Sequence, residues 1–470
     1  MRLRTNILKG LSSLLVFSTG LVSAQKIAFP SAEGFGKFAS GGRGGKVLYV
    51  TNLNDDGPGS FRAAVTAKYP RIVMFKVSGT IHLESPLSIN QDNITIAGQS
   101  APGSGICLAD YPVGLKANNA IIRYVRFRMG DRNQNKGKVD GAGGDDAFGG
   151  GNGKKNIIID HCTMSWSTDE AFSVYAGDST TLQWNIISEP LNYSYHFEQG
   201  DTDFEHHGFG GIWGGAHLSA HHNLFAHCNS RTPRFEGNRH IPQEFVDFRN
   251  NVLYNWGINN VYAGEGGQYN MVNNYYKYGP STNEKVKFQI ANPYKIEGKI
   301  PFGKYFISGN YVDGASEVSK DNWLGVVMNK GTEADKEQSK RQTAFAGVEI
   351  KEQSAEMAYA KVLTQVGASL PVRDTLDQRI IKNVQNRTGS LIDVQGGFKH
   401  GTPYEKTTKA WPVLNSLPAA KDSDGDGMPD SWELKHKLNP KSAADGPRFS
   451  LDKAYTNVEV YLNSLDKNNK

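Results

Sequence analysis

Between about residues 26 and 314 the chain repeats one simple unit, a run of three to five apolar, mostly β-branched residues interrupted by Gly or Asn. Such runs predict short buried strands between turns. Helical periodicity is nearly absent from this part of the chain, which favours an all-β fold. Representative runs are residues 47–50, 72–75, 94–96, 121–125, 157–159 and 252–254.

An asparagine stands just before or inside many of these runs, at intervals of about 20 to 40 residues. Asn tolerates the left-handed backbone conformation and suits a bend between two strands. The intervals exceed hairpin loops and hold too little helix for βαβ units, so they favour a right-handed parallel β-helix, a solenoid of stacked coils. A β-sandwich with Asn-rich turns is the alternative. The residues are Asn93, Asn119, Asn156, Asn185, Asn223, Asn251, Asn274 and Asn310.

The N-terminus has the layout of a cleavable signal peptide over residues 1–24. Three basic residues precede an apolar run that ends in small residues at Ala24. We therefore expect an exported protein, whether periplasmic, on the cell surface or secreted. The run is too short to span a bilayer, and no later run is long enough. The formal net charge of +5 falls when residues 1–24 are removed, so the composition does not support nucleic-acid binding.

The three cysteines do not predict a disulfide framework. Cys107, Cys162 and Cys228 form an odd and sparse set for an exported chain, and free cysteines usually pack as small buried hydrophobic side chains. One disulfide among the three remains open.

Residues 229–235, Asn-Ser-Arg-Thr-Pro-Arg-Phe, carry two arginines around a proline. Because proline restricts its own backbone and that of its neighbour, both guanidiniums should be held on a stiff segment. Acidic residues cluster at Asp145 and Asp146, and again at Asp169 and Glu170. Arginines and carboxylates in an exported chain indicate a cation-assisted enzyme that acts on an acidic polysaccharide.

Several ordered motifs over about residues 30 to 315 resemble family 1 polysaccharide lyases, the pectate lyases. They include residues 32–36, 41–45, 50–53, 57–64, 75–81, 121–128, 159–161 and 231–233. The resemblance implies a parallel β-helix, calcium, and cleavage of polygalacturonate by β-elimination.

The resemblance also implies site residues. Asp146 and Asp169 match calcium ligands of the family, but Ser173 stands where the family usually has another acid. Glu170 or Asp145 is expected to complete the metal shell, because calcium prefers carboxylate oxygens and its charge compensates that of the substrate acid.

Arg231 matches the catalytic arginine that takes the C5 proton. Because arginine is normally protonated, this role requires an unusual environment and should favour alkaline pH. The family commonly has a second arginine where this chain has Glu236, so Arg234 is expected to bind the substrate carboxylate instead. His207 stands where relatives often have a substrate-binding lysine, and a solvated polar turn is the other interpretation of that position.

Four further residues of the solenoid are interpreted chiefly as structural. Asp160 and His161 follow a strand run directly, which favours a buried pair at a turn over supports for the metal ligands. Trp166 and Trp213 could stack on sugars, but large aromatic side chains more often lie in the core.

The chain changes character after about residue 320. Residues 321–415 are expected to form a capping region, in which residues 354–366 have the spacing of a helix packed on the C-terminal end of the solenoid. Residues 416–470 carry a second calcium motif. In residues 422–433, acids stand at positions 1, 3, 5, 9 and 12 and Gly at 6, the spacing of an EF-hand loop. The predicted ligands are Asp422, Asp424, Asp426, Asp430 and Glu433.

Three function classes follow, with residues 25–320 as the active part. A pectate lyase fits the residues best, and we expect it to act as a monomer on polygalacturonate or pectin with Ca²⁺ as cofactor. A β-helical polygalacturonase would use water between acids such as Asp145 and Asp146, but residues 231–233 do not suit it. A noncatalytic pectin-binding protein would use the same charges for adhesion alone.

Overall fold

The computed structural model describes residues 26–134, 137–139, 141 and 143–466. The predicted signal peptide lies outside these residues. None of the helices formed by the described residues has the length and apolar character that crossing a membrane requires.

The strands confirm the predicted parallel β-helix. They stack in three parallel sheets, which we call faces 1, 2 and 3, and each coil contributes its strands in that order. Face 1 contains Lys46–Val50, Arg71–Phe75, Ile94–Ala97, Ala120–Arg123, Lys155–Asp160, the end of Phe172–Gln183, Leu218–His221, Phe245–Arg249, Gln268–Val272 and Lys304–Ser308. Face 2 contains Gly79–His82, Ile106–Ala109, Val125–Arg128, Thr163–Ser165, Ile186–Ser188, Leu224–Ala226, Val252–Tyr254, Tyr275–Lys277 and Tyr311–Val312. Face 3 contains Leu87–Ile89, Val113–Leu115, Phe148–Gly150, the start of Phe172–Gln183, Ile212–Gly215, Arg234–Phe235, Val261–Ala263 and Ala291–Pro293.

The asparagine repeat separates into two kinds of corner. Asn93 and Asn119 lie between face 3 and face 1, Asn156 is the second residue of its face 1 strand, and each has the positive φ that the sequence analysis expected. The other five lie between faces 1 and 2, where the left-handed residue is the one before the asparagine, as at Trp184 and His222. One residue type therefore serves two different bends.

At the corner between faces 1 and 2 the asparagines are buried and bond to one another from coil to coil. The Asn223 amide donates to Asn251 Oδ1 at 2.9 Å, and Asn223 Oδ1 accepts from the backbone and side chain of Asn185, each at 3.0 Å. The ladder continues through Asn274 and Asn310 and ends at Asn322. It satisfies backbone groups that no strand pairing reaches, and it sets the register of successive coils.

The helices lie in the segments that connect or follow the strands of the β-helix. They span Phe61–Val65, Ser316–Lys320, Glu333–Ser339, Ala355–Gln365, Thr375–Asn386, Tyr404–Thr407, Asp430–Lys435 and Asn457–Ser464. Short 3₁₀ turns span Phe35–Phe38, Gly98–Ser100, Glu284–Val286, Asn322–Gly325, Gln395–Gly397 and Thr408–Ala410.

The predicted helix forms over Ala355–Gln365 with Ser354 as its N-cap, but it does not cover the C-terminal end of the solenoid. Its buried residues pack on the outer side of face 2, beside Thr375–Asn386. The last coil is instead contacted by Ser316–Lys320 and Glu333–Ser339. The apolar outer surface of face 2 explains the difference, because Ile186, Leu224 and Val252 offer the helix a larger hydrophobic partner than a strand edge.

The C-terminal tail returns to the first coils. Ser416 bridges to Gly103, and Met428, Val458 and Leu462 pack against Ile72 and Met74 on the outer side of face 1. The early face 1 strands are thus covered on both sides, which explains why Arg71–Phe75 is buried along its whole length.

The residues interpreted as structural are buried. Asp160 forms an ion pair with Arg123 at 2.7 Å, and its Oδ1 lies 2.8 Å from His161 Nδ1. Trp166 and Trp213 lie in the core rather than on a sugar-binding surface. The three cysteines are free and buried, so the one disulfide left open is not formed.

Candidate active site

Four successive coils bring their corner loops together where the chain passes from face 2 to face 3. Glu170 and Ser230 each form a parallel bridge with Phe209, which places the loops of three coils side by side. Ala147 N donates to Glu170 O at 3.1 Å, which adds the loop of the preceding coil. Predicted site residues far apart in sequence therefore meet because each occupies the same position in its coil.

Three carboxylates converge at this corner. Ligand oxygens of Asp146, Asp169 and Glu170 lie within 4.8 Å of one another. Asp146 Oδ1 accepts a hydrogen bond from Glu170 N at 3.1 Å, and burial together with the charge of Asp169 raises the pKa of Asp146 well above its usual value. Crowded acids of this kind are stabilised by a cation.

Asp145 and Ser173 border this group. Burial and the charge of Asp169 raise the pKa of Asp145, but its carboxylate is not one of the three that converge. Ser173 is buried and its hydroxyl bonds to the Asp146 carboxylate, so the position that lacks the expected acid supports a ligand instead of providing one. Of the two residues expected to complete the shell, Glu170 is the one that the fold brings to the group.

Arg231 lies against the carboxylates. Its guanidinium forms an ion pair with Glu170, its Nε donates to the Tyr262 hydroxyl at 3.3 Å, and its Cζ lies 4.6 Å from the centre of the Phe209 ring. The side chain keeps 22% of its surface exposed. Three contacts therefore fix the guanidinium while part of it faces solvent.

Arg234 is more enclosed. It lies on face 3 between Ile212 and Tyr262, its side chain is 11% exposed, and its Nη1 donates to Phe235 O at 3.1 Å. Burial lowers its pKa, and the charge of Glu265, 3.5 Å away, acts in the opposite direction.

His207 does not lie in the open turn that the sequence left as one interpretation. Only 4% of the residue is exposed, and its Nε2 lies 2.6 Å from Asp169 Oδ1. Its ring stacks on His196 at 4.5 Å and lies 3.7 Å from the Phe209 ring. Burial of Asp169 favours the neutral carboxyl, but the hydrogen bond and charge of His207 outweigh it and lower the pKa of Asp169.

Sequence reasoning missed two residues at this corner. His196 stacks on His207, and its Nδ1 lies 3.0 Å from Thr168 O. Tyr262 bonds Arg231 from the next coil. Neither residue belongs to a sequence motif. The strand register of face 3 pairs Tyr262 with Arg234, and only that register could have indicated that Tyr262 lies near Arg231.

The predicted tail loop lies on the outer side of face 1, separate from this corner. Asp422, Asp424 and Asp426 converge there, and Glu433 converges with Asp426. Asp430 instead bonds to Lys421 and Ser423.

At the corner, three acids that fit a hard cation lie beside a partly exposed guanidinium. With a hard cation held by these acids, such a site would compensate the charge of a sugar carboxylate and place the Arg231 guanidinium beside it.

Known proteins similar in sequence to this chain include two from Aspergillus. The chain is 36% identical over 469 residues to a protein from Aspergillus fumigatus named Probable pectate lyase C, with 97% of each chain covered. It is 33% identical over 489 residues to the Aspergillus flavus protein of the same name, with 99% of each covered. Among solved structures, jun a 1, the major allergen from cedar pollen, is similar with 17% identity and a TM-score of 0.49, covering 72% of this chain and 92% of that one. No family model matches the chain.

Proposed function

The chain belongs to the pectate lyase family, and on that premise we propose that it cleaves α-1,4-linked polygalacturonate by calcium-assisted β-elimination. The observation that carries the proposal is the position of Arg231, whose guanidinium lies against three convergent carboxylates. The substrate is an acidic polysaccharide, and the products are 4,5-unsaturated oligogalacturonides.

The residues at the corner fit calcium. Asp146, Asp169 and Glu170 offer hard oxygen ligands within 4.8 Å of one another, and burial together with the charge of Asp169 raises the pKa of Asp146. These three residues would hold the ion. When bound, calcium would neutralise the substrate carboxylate and so make the neighbouring C5 proton more acidic.

Arg231 is the proposed base. In the elimination Arg231 takes the C5 proton, the electron pair of the C5–H bond forms the C4–C5 double bond, and the bond from C4 to the glycosidic oxygen breaks. The departing oxygen takes a proton from water. Only a neutral guanidine can accept a proton, so Arg231 first releases one to solvent and then takes the proton from C5. The contact with Glu170 orients the side chain for this step. Tyr262 and Phe209 hold the side chain in place during that exchange.

His207 is proposed to position Asp169, in addition to the substrate-binding role expected from its place in the sequence. Its 4% exposure and its 2.6 Å contact with Asp169 support a positioning role, in which the imidazole fixes the direction of the carboxylate. Stacking on His196 and on Phe209 holds the imidazole in turn.

The remaining proposals concern the chain as a whole. Residues 1–24 direct export and are removed, residues 25–320 form the catalytic β-helix, residues 321–415 cover it, and residues 416–470 form the calcium-loop tail. The enzyme is proposed to act as a monomer; the acids, arginine and histidine of the corner come from one chain, so a second copy is not needed to complete the site.

One assay separates the three function classes. The chain without residues 1–24 is incubated with polygalacturonate and calcium, and ultraviolet absorbance and reducing ends are measured together. A lyase produces both, because each elimination creates an unsaturated end. Reducing ends without absorbance would identify a hydrolase, and binding without either product would identify a pectin-binding protein.

Arg234 is expected to bind substrate more than to react. Replacing it with Lys keeps the charge but loses the planar fork that fits a carboxylate, so apparent KM should rise about tenfold while kcat changes less. Steady-state kinetics on polygalacturonate measures both constants. A large fall in kcat with unchanged KM would instead place Arg234 at the reacting atoms.

A further inference from the structure

The tail contains a second group of acids whose geometry the sequence motif predicts only in part. Asp424 and Asp426 converge with Asp422, and Asp426 and Glu433 converge with Asp445, each set within 4.8 Å. Asp445 lies outside the twelve-residue loop, beyond the helix Asp430–Lys435.

Five carboxylate oxygens in this group are buried without a hydrogen-bond donor. They are Asp424 Oδ2, Asp426 Oδ2, Asp445 Oδ1 and both oxygens of Glu433. Glu433 is 0% exposed and Asp426 is 5% exposed, and each of the five oxygens is closed to bulk solvent. Leaving buried charged oxygens without a partner is costly, and a calcium ion, which takes six to eight oxygen ligands, removes that cost.

The other oxygen of each aspartate is already held by the backbone, which aims the free one. Asp424 Oδ1 accepts from Asp426 N at 3.3 Å, and Asp426 Oδ1 accepts from Met428 N at 3.0 Å. Asp445 Oδ2 accepts from Asn439 N at 3.0 Å. The acids are therefore oriented toward one another although their charges repel.

Asp430, the predicted ligand at position 9, is engaged elsewhere. It begins the helix Asp430–Lys435, its carboxylate accepts from Ser423 N at 2.7 Å, and it pairs with Lys421 at 2.9 Å. A neighbouring lysine and a free backbone amide satisfy this side chain locally. Asp445 supplies the carboxylate that Asp430 does not.

The same loop is attached to the first coils of the β-helix. Met428 is fully buried among Ile72, Met74 and Val458, and the Tyr49 hydroxyl donates to Asp422. A Cβ at Gly427 would lie 2.6 Å from Val458 and 3.0 Å from Met74, so the turn fits only with glycine.

We propose that a calcium ion bound by Asp424, Asp426, Glu433 and Asp445, with Asp422 beside them, clamps the C-terminal tail onto the outer side of face 1. The ion joins the loop to the segment around Asp445, and both pack on the same surface through Met428 and Val458. The site is structural and lies apart from the carboxylates of the catalytic corner.

Calcium binding to the full chain without residues 1–24 tests the proposal. The background carries Asp146→Asn and Asp169→Asn, so that loss of the corner site and loss of the tail site are distinguished. Calorimetric titration should still find one calcium per chain. Adding Asp445→Asn or Glu433→Gln should weaken that binding by about tenfold or more and reduce the calcium-dependent rise in Tm. Adding Asp430→Asn, the matched control, should change the affinity by less than about threefold.

Terbium luminescence provides a second readout if a variant folds poorly. Terbium at the loop should be sensitised by Trp432, which stands next to Glu433, and calcium should displace it. Trp432→Phe should remove most of the emission. Absence of any calcium binding in the background chain would overturn the site. If Asp430→Asn lost calcium binding while Asp445→Asn kept it, the ligand assignment would be overturned.

Discussion

Replacing Arg231 with Lys should lower kcat on polygalacturonate by about a hundredfold or more, the usual scale for loss of a general base. Lysine keeps a positive charge, but one ammonium cannot reproduce the guanidinium contacts with Glu170 and Tyr262 over the Phe209 ring. KM should change less, because the carboxylates and Arg234 are untouched. Initial rates of ultraviolet-absorbing product, measured from neutral to alkaline pH, give both constants.

The matched control is Arg379→Lys. Arg379 also forms an ion pair, with Glu189 at 2.6 Å, but it lies in the helix Thr375–Asn386 beside face 2 and should tolerate the change. Near-normal turnover for Arg231→Lys would remove it as the base and direct attention to Arg234 and His207.

Replacing Asp146 or Asp169 with Asn should raise the calcium concentration needed for half-maximal activity by about tenfold or more, since each change removes a formal charge from a site for a hard cation. The double variant should be nearly inactive at millimolar calcium. Asp145→Asn should have a smaller effect, because that carboxylate lies outside the convergent group.

Chelation followed by calcium titration measures this effect. Glu433→Gln serves as a control for the tail, and its half-maximal calcium concentration for turnover should stay close to that of the unaltered chain at moderate temperature. Full turnover in excess chelator would contradict a calcium-dependent reaction at this corner.

The fold could be predicted from the sequence because its determinants are local. Short apolar runs and regularly spaced asparagines are properties of each coil, and the sheets repeat them. The sequence predicted the role of only some of the asparagines. Asn93 takes the left-handed conformation that was expected. At Asn223 the preceding residue takes that conformation, and the Asn223 side chain bonds to the next coil instead.

The site was predicted less completely because it depends on contacts between coils. Motif positions identified Asp146, Asp169 and Arg231, but nothing in the spacing indicates that His207 turns inward to Asp169 or that Tyr262 reaches Arg231. In the tail, the spacing of the acids identified the loop but not the contacts of Asp430. Its carboxylate bonds to Lys421 and Ser423 and does not join the other acids.

The return of the tail from the last coil to the first changes the topology of the solenoid. A simple stack of coils is an open chain of neighbours, and it can fray from either end. Here residues 316–340 contact the last coil, helices cover face 2, and Met428 with Val458 packs on the first coils. The segment that follows the last coil is thus packed on the first coils, so the first coils cannot open unless this segment detaches. We therefore expect the two ends of the β-helix to unfold together rather than separately.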